Sequence, residues 1–208
     1  VIDVGYLLAP RGVGTMFAMM LVGRLSGRVD VRILILLGLL LTSFSMWEMT
    51  LFNTDISSWD IVRTGIVQGL GLGFIFVPLS TITFATLAPR YRNEGTALFS
   101  LVRNIGSSIG ISVVITYLAQ RTQMNHEVFA SYITPFNAGL QQGMGTAALV
   151  TPKGLAMLNG EVTRQASLLA YLQDFRLMMW VSLCAIPLVL LLKAPKRGGG
   201  KEALAILE

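Results

Sequence analysis

The chain has 208 residues, of which 53% are hydrophobic and only 13% charged, with a formal net charge of +5 and a mean hydropathy of +0.66. A water-soluble domain carries about a quarter charged residues, so this balance excludes an ordinary soluble enzyme and points to lipid as the solvent. One cysteine and one histidine leave no disulfide framework, no metal site and no catalytic cluster to assemble, and no cofactor is expected.

Apolar blocks long enough to cross ~30 Å of hydrocarbon recur along the chain. They predict an all-α membrane protein with five transmembrane helices. The first, about 5–22, carries Pro10 and Arg11 near its start and is apolar from Val13 to Val22. The chain opens without Met and lacks the basic, cleavable pattern of a signal peptide, so it reads as a fragment of something longer. The second span, about 33–52, holds Glu48 near its end. A charge inside a span costs a few kcal/mol and marks a site by default; Glu48 either pairs with Arg11 or takes up protons from water.

The third span, about 62–88, contains "RTGIVQGLGLGFIFVPLS". A phosphate-cradling loop needs its glycines between a strand and an exposed helix, whereas these lie inside a long apolar run. On a helix Gly65, Gly69 and Gly73 share one face, a small-residue stripe that admits a close neighbour, and Gly71 lies on the opposite side. Pro78 removes one backbone hydrogen bond and should kink the helix, which a bundle around a cavity tolerates. Gln68 is a polar group at depth that either bonds across helices or touches a ligand. In the fourth span, about 96–119, Gly106 and Gly110 repeat the packing device, and Arg103 with Asn104 sits about a turn and a half from the start. Arg103 either faces a cavity or snorkels to the headgroups.

Residues 120–171 read as a long outer loop with partly helical segments. Leu158, Val162, Ala166, Leu169 and Leu172 follow helical spacing, with Asn159 as a candidate cap, and the segment is expected to run into the final span as one extended helix. Asp174 and Arg176 fall at the outer interface of the last span, 172–193, and 194–208 form a cytoplasmic tail. Most Lys and Arg residues gather in "GRLSGRVDVR", "APRYRNEG" and "KAPKRGGGK". The positive-inside rule makes those three segments cytoplasmic, so the chain starts outside and ends inside. The split of the positive charge among three loops, in place of one stripe, argues against nucleic acid as a partner.

The series "LLAPRGVGTMFAMMLVGRLSGRVDVR", "QGLGLGFIFVPLSTITFATLAPRYRNEGTALFSLVRNIGSSIGIS", "HEVFASYITPFN" and "RQASLLAYLQDF" resembles the C-terminal half of the fourteen-helix drug:proton antiporters of EmrB/QacA type in the major facilitator superfamily. The resemblance implies that these are the last five of fourteen helices, a major-facilitator C-terminal bundle whose other nine helices precede it. It implies a multi-pass protein of the cell (inner) membrane, working as a proton-coupled multidrug or metabolite efflux transporter by alternating access. An apolar or cationic small molecule, protons, the lipid bilayer and a candidate periplasmic adaptor would be its partners. Gly23, Arg28 and Arg32, with Asp30 nearby, match the framework of the superfamily's cytoplasmic gate loop, but Gly27 stands where an acid is usual. Gln68, Gly69, Gly71, Gly73 and Pro78 match a "QGxGxGxxxxP" pattern, and Arg103, Asn104, Gly106 and Gly110 match the segment after it. Uptake or metabolite export by another superfamily branch, or a truncated non-transporting membrane protein, are the rival readings; an enzyme is not expected.

Overall fold

The computed structural model describes residues 2–25, 28–85, 87–134 and 151–191. Helix α1 spans Ile2–Leu25, α2 Val31–Met49, α3 Ser58–Ala85, α4 Arg92–Ser131 and α5 Pro152–Leu191, with a short 3-10 turn, Pro89–Tyr91, leading into α4. All five helices are long and apolar enough to cross a membrane, and among the described residues there is no strand. This is an all-α membrane protein.

Local chemistry sets several helix ends. Asp30 precedes α2, and its Oδ1 accepts the Arg32 N–H at 3.0 Å, satisfying one of the donors a helix start leaves orphaned. At α5 the cap is Thr151, whose Oγ1 accepts the Gly154 N–H at 3.2 Å, and Pro152 takes the first helical position, where its missing N–H costs nothing. The cap expected at Asn159 is therefore corrected: the helix begins earlier, and Asn159 lies within it. Helices α4 and α5 each run for 40 residues, about 60 Å at 1.5 Å per residue. Within the region expected as an outer loop with partly helical segments, 120–131 and 152–171 are continuous helix. Residues 135–150 lie outside the described residues.

Two compact units divide the chain. The first comprises α1, most of α2, α3, the start of α4 and the end of α5. In its core Ala18 and Val22 of α1, Leu34 of α2 and Phe74 of α3 pack together. A second cluster joins Ile35 and Leu39 of α2 to Val189 of α5. Backbone proximity dominates the seams. A Cβ at Gly14 would lie 2.8 Å from the Ile66 carbonyl oxygen, and one at Gly38 would lie 2.8 Å from that of Gly71. Such approach substitutes close van der Waals packing for a hydrophobic driving force that lipid does not supply.

A buried polar bond reinforces the α2–α3 seam. Ser45 and Thr64 are both fully buried, and the Ser45 hydroxyl donates to the Thr64 carbonyl at 2.8 Å. Ser45→Ala leaves that carbonyl with only its intrahelical partner, so a loss of about 1 kcal/mol is expected, read as a lower melting temperature in detergent.

The second unit comprises 46–57 and 101–180. Here α4 and α5 run alongside each other, with the Asn125 amide donating to the Ala166 carbonyl at 3.4 Å and His126 Nε2 lying 3.0 Å from Asn159 Oδ1. On α5, Leu158, Val162, Ala166, Ala170 and Asp174 recur every four residues and are all buried. The opposite side is exposed: Arg164 grips Glu161 through Nε at 3.0 Å and Nη2 at 2.8 Å, and Gln165 adds a bond at 2.9 Å. An exposed i,i+3 pair of this kind contributes a few tenths of a kcal/mol.

Candidate functional site

The glycine stripe of α3 separates into two contacts. A side chain at Gly69 would collide with the Arg11 carbonyl oxygen, and one at Gly73 with Ala18 Cβ and, at 3.0 Å, the Thr15 carbonyl, so both are seated on α1. Gly71 faces α2, where a Cβ would meet Thr42 Oγ1 and, at 2.9 Å, the Gly38 carbonyl. Gly65 is looser, with Arg11 Cβ at 3.7 Å. Helix α3 thus serves as a plate between two neighbours, each touching it backbone to backbone. Pro78 is fully buried within the same helix. Its ring leaves the Phe74 carbonyl without an intrahelical donor.

Beside the α1–α3 seam lies a cavity of about 660 Å³, lined by Tyr6, Ala9, Pro10, Val13, Gly14, Phe17, Ile66 and Leu70. That volume falls within the range of small-molecule sites. Its lining holds no charged side chain and one hydroxyl, at Tyr6, so it suits an apolar ligand.

Gln68 is buried in the first unit, at 6% exposure. Glu48, half-buried, and the exposed Arg103 and Asn104 belong to the second. Every residue from Leu101 to Val113 is exposed, and a Cβ at Gly106 or Gly110 would meet nothing within 4 Å. This stretch of α4 therefore presents its small residues to surroundings outside the described chain. In the loop after α1, Gly23 is exposed with open space around it, Arg28 is exposed and Arg32 half-buried, and Asp30 is engaged in capping α2. Gly27 lies outside the described residues.

Sequence reasoning left two polar groups out of the site. Asp174 is 4% exposed, and its Oδ1 has no hydrogen-bond partner among the described residues. On α4, Arg121 stacks on the Tyr117 ring at 5.0 Å. Gln173 Oε1 is likewise buried and unpartnered. The signal for Asp174 was its place at the end of the Leu158–Ala170 stripe, where an apolar residue would continue the pattern. Among the described residues, no group of three or more His, Cys, Asp or Glu side chains could hold a metal ion.

Comparison with known proteins assigns this architecture to a family. The family model described as Major Facilitator Superfamily matches residues 1–131. The fatty acid resistance protein FarB of Neisseria gonorrhoeae is 29% identical over 202 residues, covering 94% of this chain and 39% of that protein. The multidrug export protein EmrB of Escherichia coli K12 is 23% identical over 203 residues, with the same coverage, 94% and 39%. A multidrug resistance protein B homolog of Mycobacterium tuberculosis H37Rv is 29% identical over 156 residues, 73% of this chain and 28% of that protein. No solved structure matches. The chain thus spans about two-fifths of the length of FarB and EmrB. With five membrane-spanning helices, seams closed by glycine and relatives named for drug and fatty acid resistance, the chain belongs to the major facilitator superfamily and is consistent with part of an EmrB-type protein.

Proposed function

We propose that the chain is the C-terminal bundle of a proton-coupled exporter of apolar or cationic compounds in the cell (inner) membrane, working by alternating access. The observation that carries this reading is the apolar cavity of about 660 Å³ along α1 and α3. It offers an apolar wall to a drug or a long acyl chain, in keeping with relatives named for multidrug export and fatty acid resistance. The tight seams between α3 and its neighbours let these three helices move as one body, as rocking requires. Under the positive-inside rule the α4–α5 hairpin of the second unit lies outside, where a periplasmic adaptor would reach it.

The coupling proton needs an acid. Glu48 and Asp174 are the candidates, and Asp174, at 4% exposure against the half-buried Glu48, fits better: an ionised carboxylate so deeply buried costs several kcal/mol, so it is a place where a proton is held and released as helices part.

The exposed face of α4 around Arg103, Asn104, Gly106 and Gly110 packs on the helices that precede this chain in the full-length protein. Gly110→Leu in that protein is expected to lower efflux about tenfold, because overpacking a helix seam costs about 1–3 kcal/mol; unchanged efflux would place this face against lipid. Export itself is tested in cells carrying the full-length gene. Lower drug accumulation that is restored when the proton gradient is collapsed supports it, and higher accumulation would support the uptake branch.

A further inference from the structure

The second unit contains a pocket that the transport reading does not use. It has a volume of about 450 Å³ and is formed by one face of α5 together with the end of α2 and the residue after it. Its polar groups are unbalanced. Gln173 Oε1 is buried and lacks a donor. The Thr50 hydroxyl gives its proton to the Trp47 carbonyl at 2.7 Å, which leaves its lone pairs as acceptors. Arg176 is exposed, and among the described residues no ion pair engages it. The pocket therefore asks for a ligand that is anionic at one point and carries N–H donors at another. A free phosphate answers only the first demand, and a simple ammonium only the second.

Two indoles fix the setting. Trp47 and Trp180 line the same pocket and are 48% and 56% exposed, a disposition that aromatic residues adopt at the membrane–water boundary. Met179 adds apolar surface to the same pocket. We infer that this pocket binds the headgroup of a phosphoethanolamine lipid, with the phosphate on Arg176, the ammonium donating to Gln173 Oε1 and Thr50 Oγ1, and the acyl chains leaving past Met179. Choline has no N–H to give Gln173, so the pocket distinguishes ethanolamine from choline headgroups. A glycerol headgroup lacks the positive charge that two acceptors in one pocket favour.

The test is lipid binding to the full-length protein in detergent, read by native mass spectrometry with titrated phosphatidylethanolamine, phosphatidylcholine and phosphatidylglycerol, and with soluble glycerophosphoethanolamine as competitor. The wild type is expected to hold phosphatidylethanolamine about tenfold more tightly than phosphatidylcholine. Gln173→Leu should abolish that preference while keeping the phosphate contact, and Arg176→Gln should weaken both lipids. Gln173→Glu, which keeps an acceptor, should retain the preference and so guards against a folding artefact. Equal binding of the two lipids by the wild type, tighter binding of phosphatidylglycerol, or a preference that survives Gln173→Leu would overturn the inference. Displacement by the soluble headgroup at the same concentration as the lipid would overturn the lipid assignment. None of these outcomes depends on transport, so they stand apart from the efflux assay.

Discussion

Gly69→Leu is expected to unseat α1 from α3 and to lower the stability of the protein by about 3 kcal/mol, the upper end of what overpacking costs. The reason is the identity of the obstacle. A side chain at this position would collide with the Arg11 carbonyl oxygen, which belongs to helix backbone and cannot rotate aside as a long side chain would. Even Gly69→Ala should be costly, although alanine is the better helix former by about 1 kcal/mol. Gly65→Ala provides the contrast: its new methyl would lie at 3.7 Å from Arg11 Cβ, an ordinary contact, so the propensity gain should prevail and the variant should be neutral or slightly more stable. Thermal unfolding of the two alanine variants side by side separates a specific seam from a general intolerance of α3 to substitution. If both variants melt with the wild type, α1 and α3 are not in backbone contact.

The second large effect is expected at Asp174, where stability and activity should move in opposite directions. Its side chain is buried at 4% exposure with Oδ1 unpartnered. Replacing a poorly compensated buried charge with an apolar group of similar size is often stabilising, by about 1–4 kcal/mol. Asp174→Leu should therefore raise the melting temperature, since it continues the stripe of Leu158, Val162, Ala166 and Ala170. Asp174→Asn should preserve the shape. Both should abolish efflux driven by a proton gradient while substrate still binds, because neither side chain exchanges a proton. An acid retained at a cost to stability is the pattern of a functional site. A structural acid would give the reverse result, with lower melting temperatures and coupling intact.

What the sequence disclosed follows the strength of each signal. The five spans were legible because a membrane helix is a long, uniform apolar run that no soluble element imitates. The two faces of α3 were legible because spacing by four, with Gly71 two residues out of phase, sorts the glycines between neighbours before any neighbour is identified. Helix length beyond the last span was legible in α5, where the spacing of Leu158 to Leu172 runs on into that span, and was not legible in α4. Polar residues such as Asn125 and His126 signal only that the chain has left the hydrocarbon, and a helix supported by its neighbour in water carries the same composition as a loop. The cap of α5 was missed for the same reason, since Thr151 and Pro152 follow a glycine-rich stretch that reads as a turn. Asp174, expected at the outer interface, is also buried within the chain, which one sequence does not show, because depth along a helix is visible there and the direction of a side chain is not. Asp30, beside the gate-loop match, also caps α2, a local task that the motif does not announce.

Proton-coupled export is the claim on which the roles of α3 and Asp174 both depend, and simultaneous recording of substrate and proton movement decides it. The full-length protein is reconstituted into liposomes with an imposed pH gradient, and a fluorescent apolar cation and an internal pH dye are followed together. The expected result is substrate movement against its gradient, with matching proton flow in the opposite direction, and loss of both in Asp174→Asn. Substrate movement with no proton flow, or at an equal rate in the variant, would contradict it.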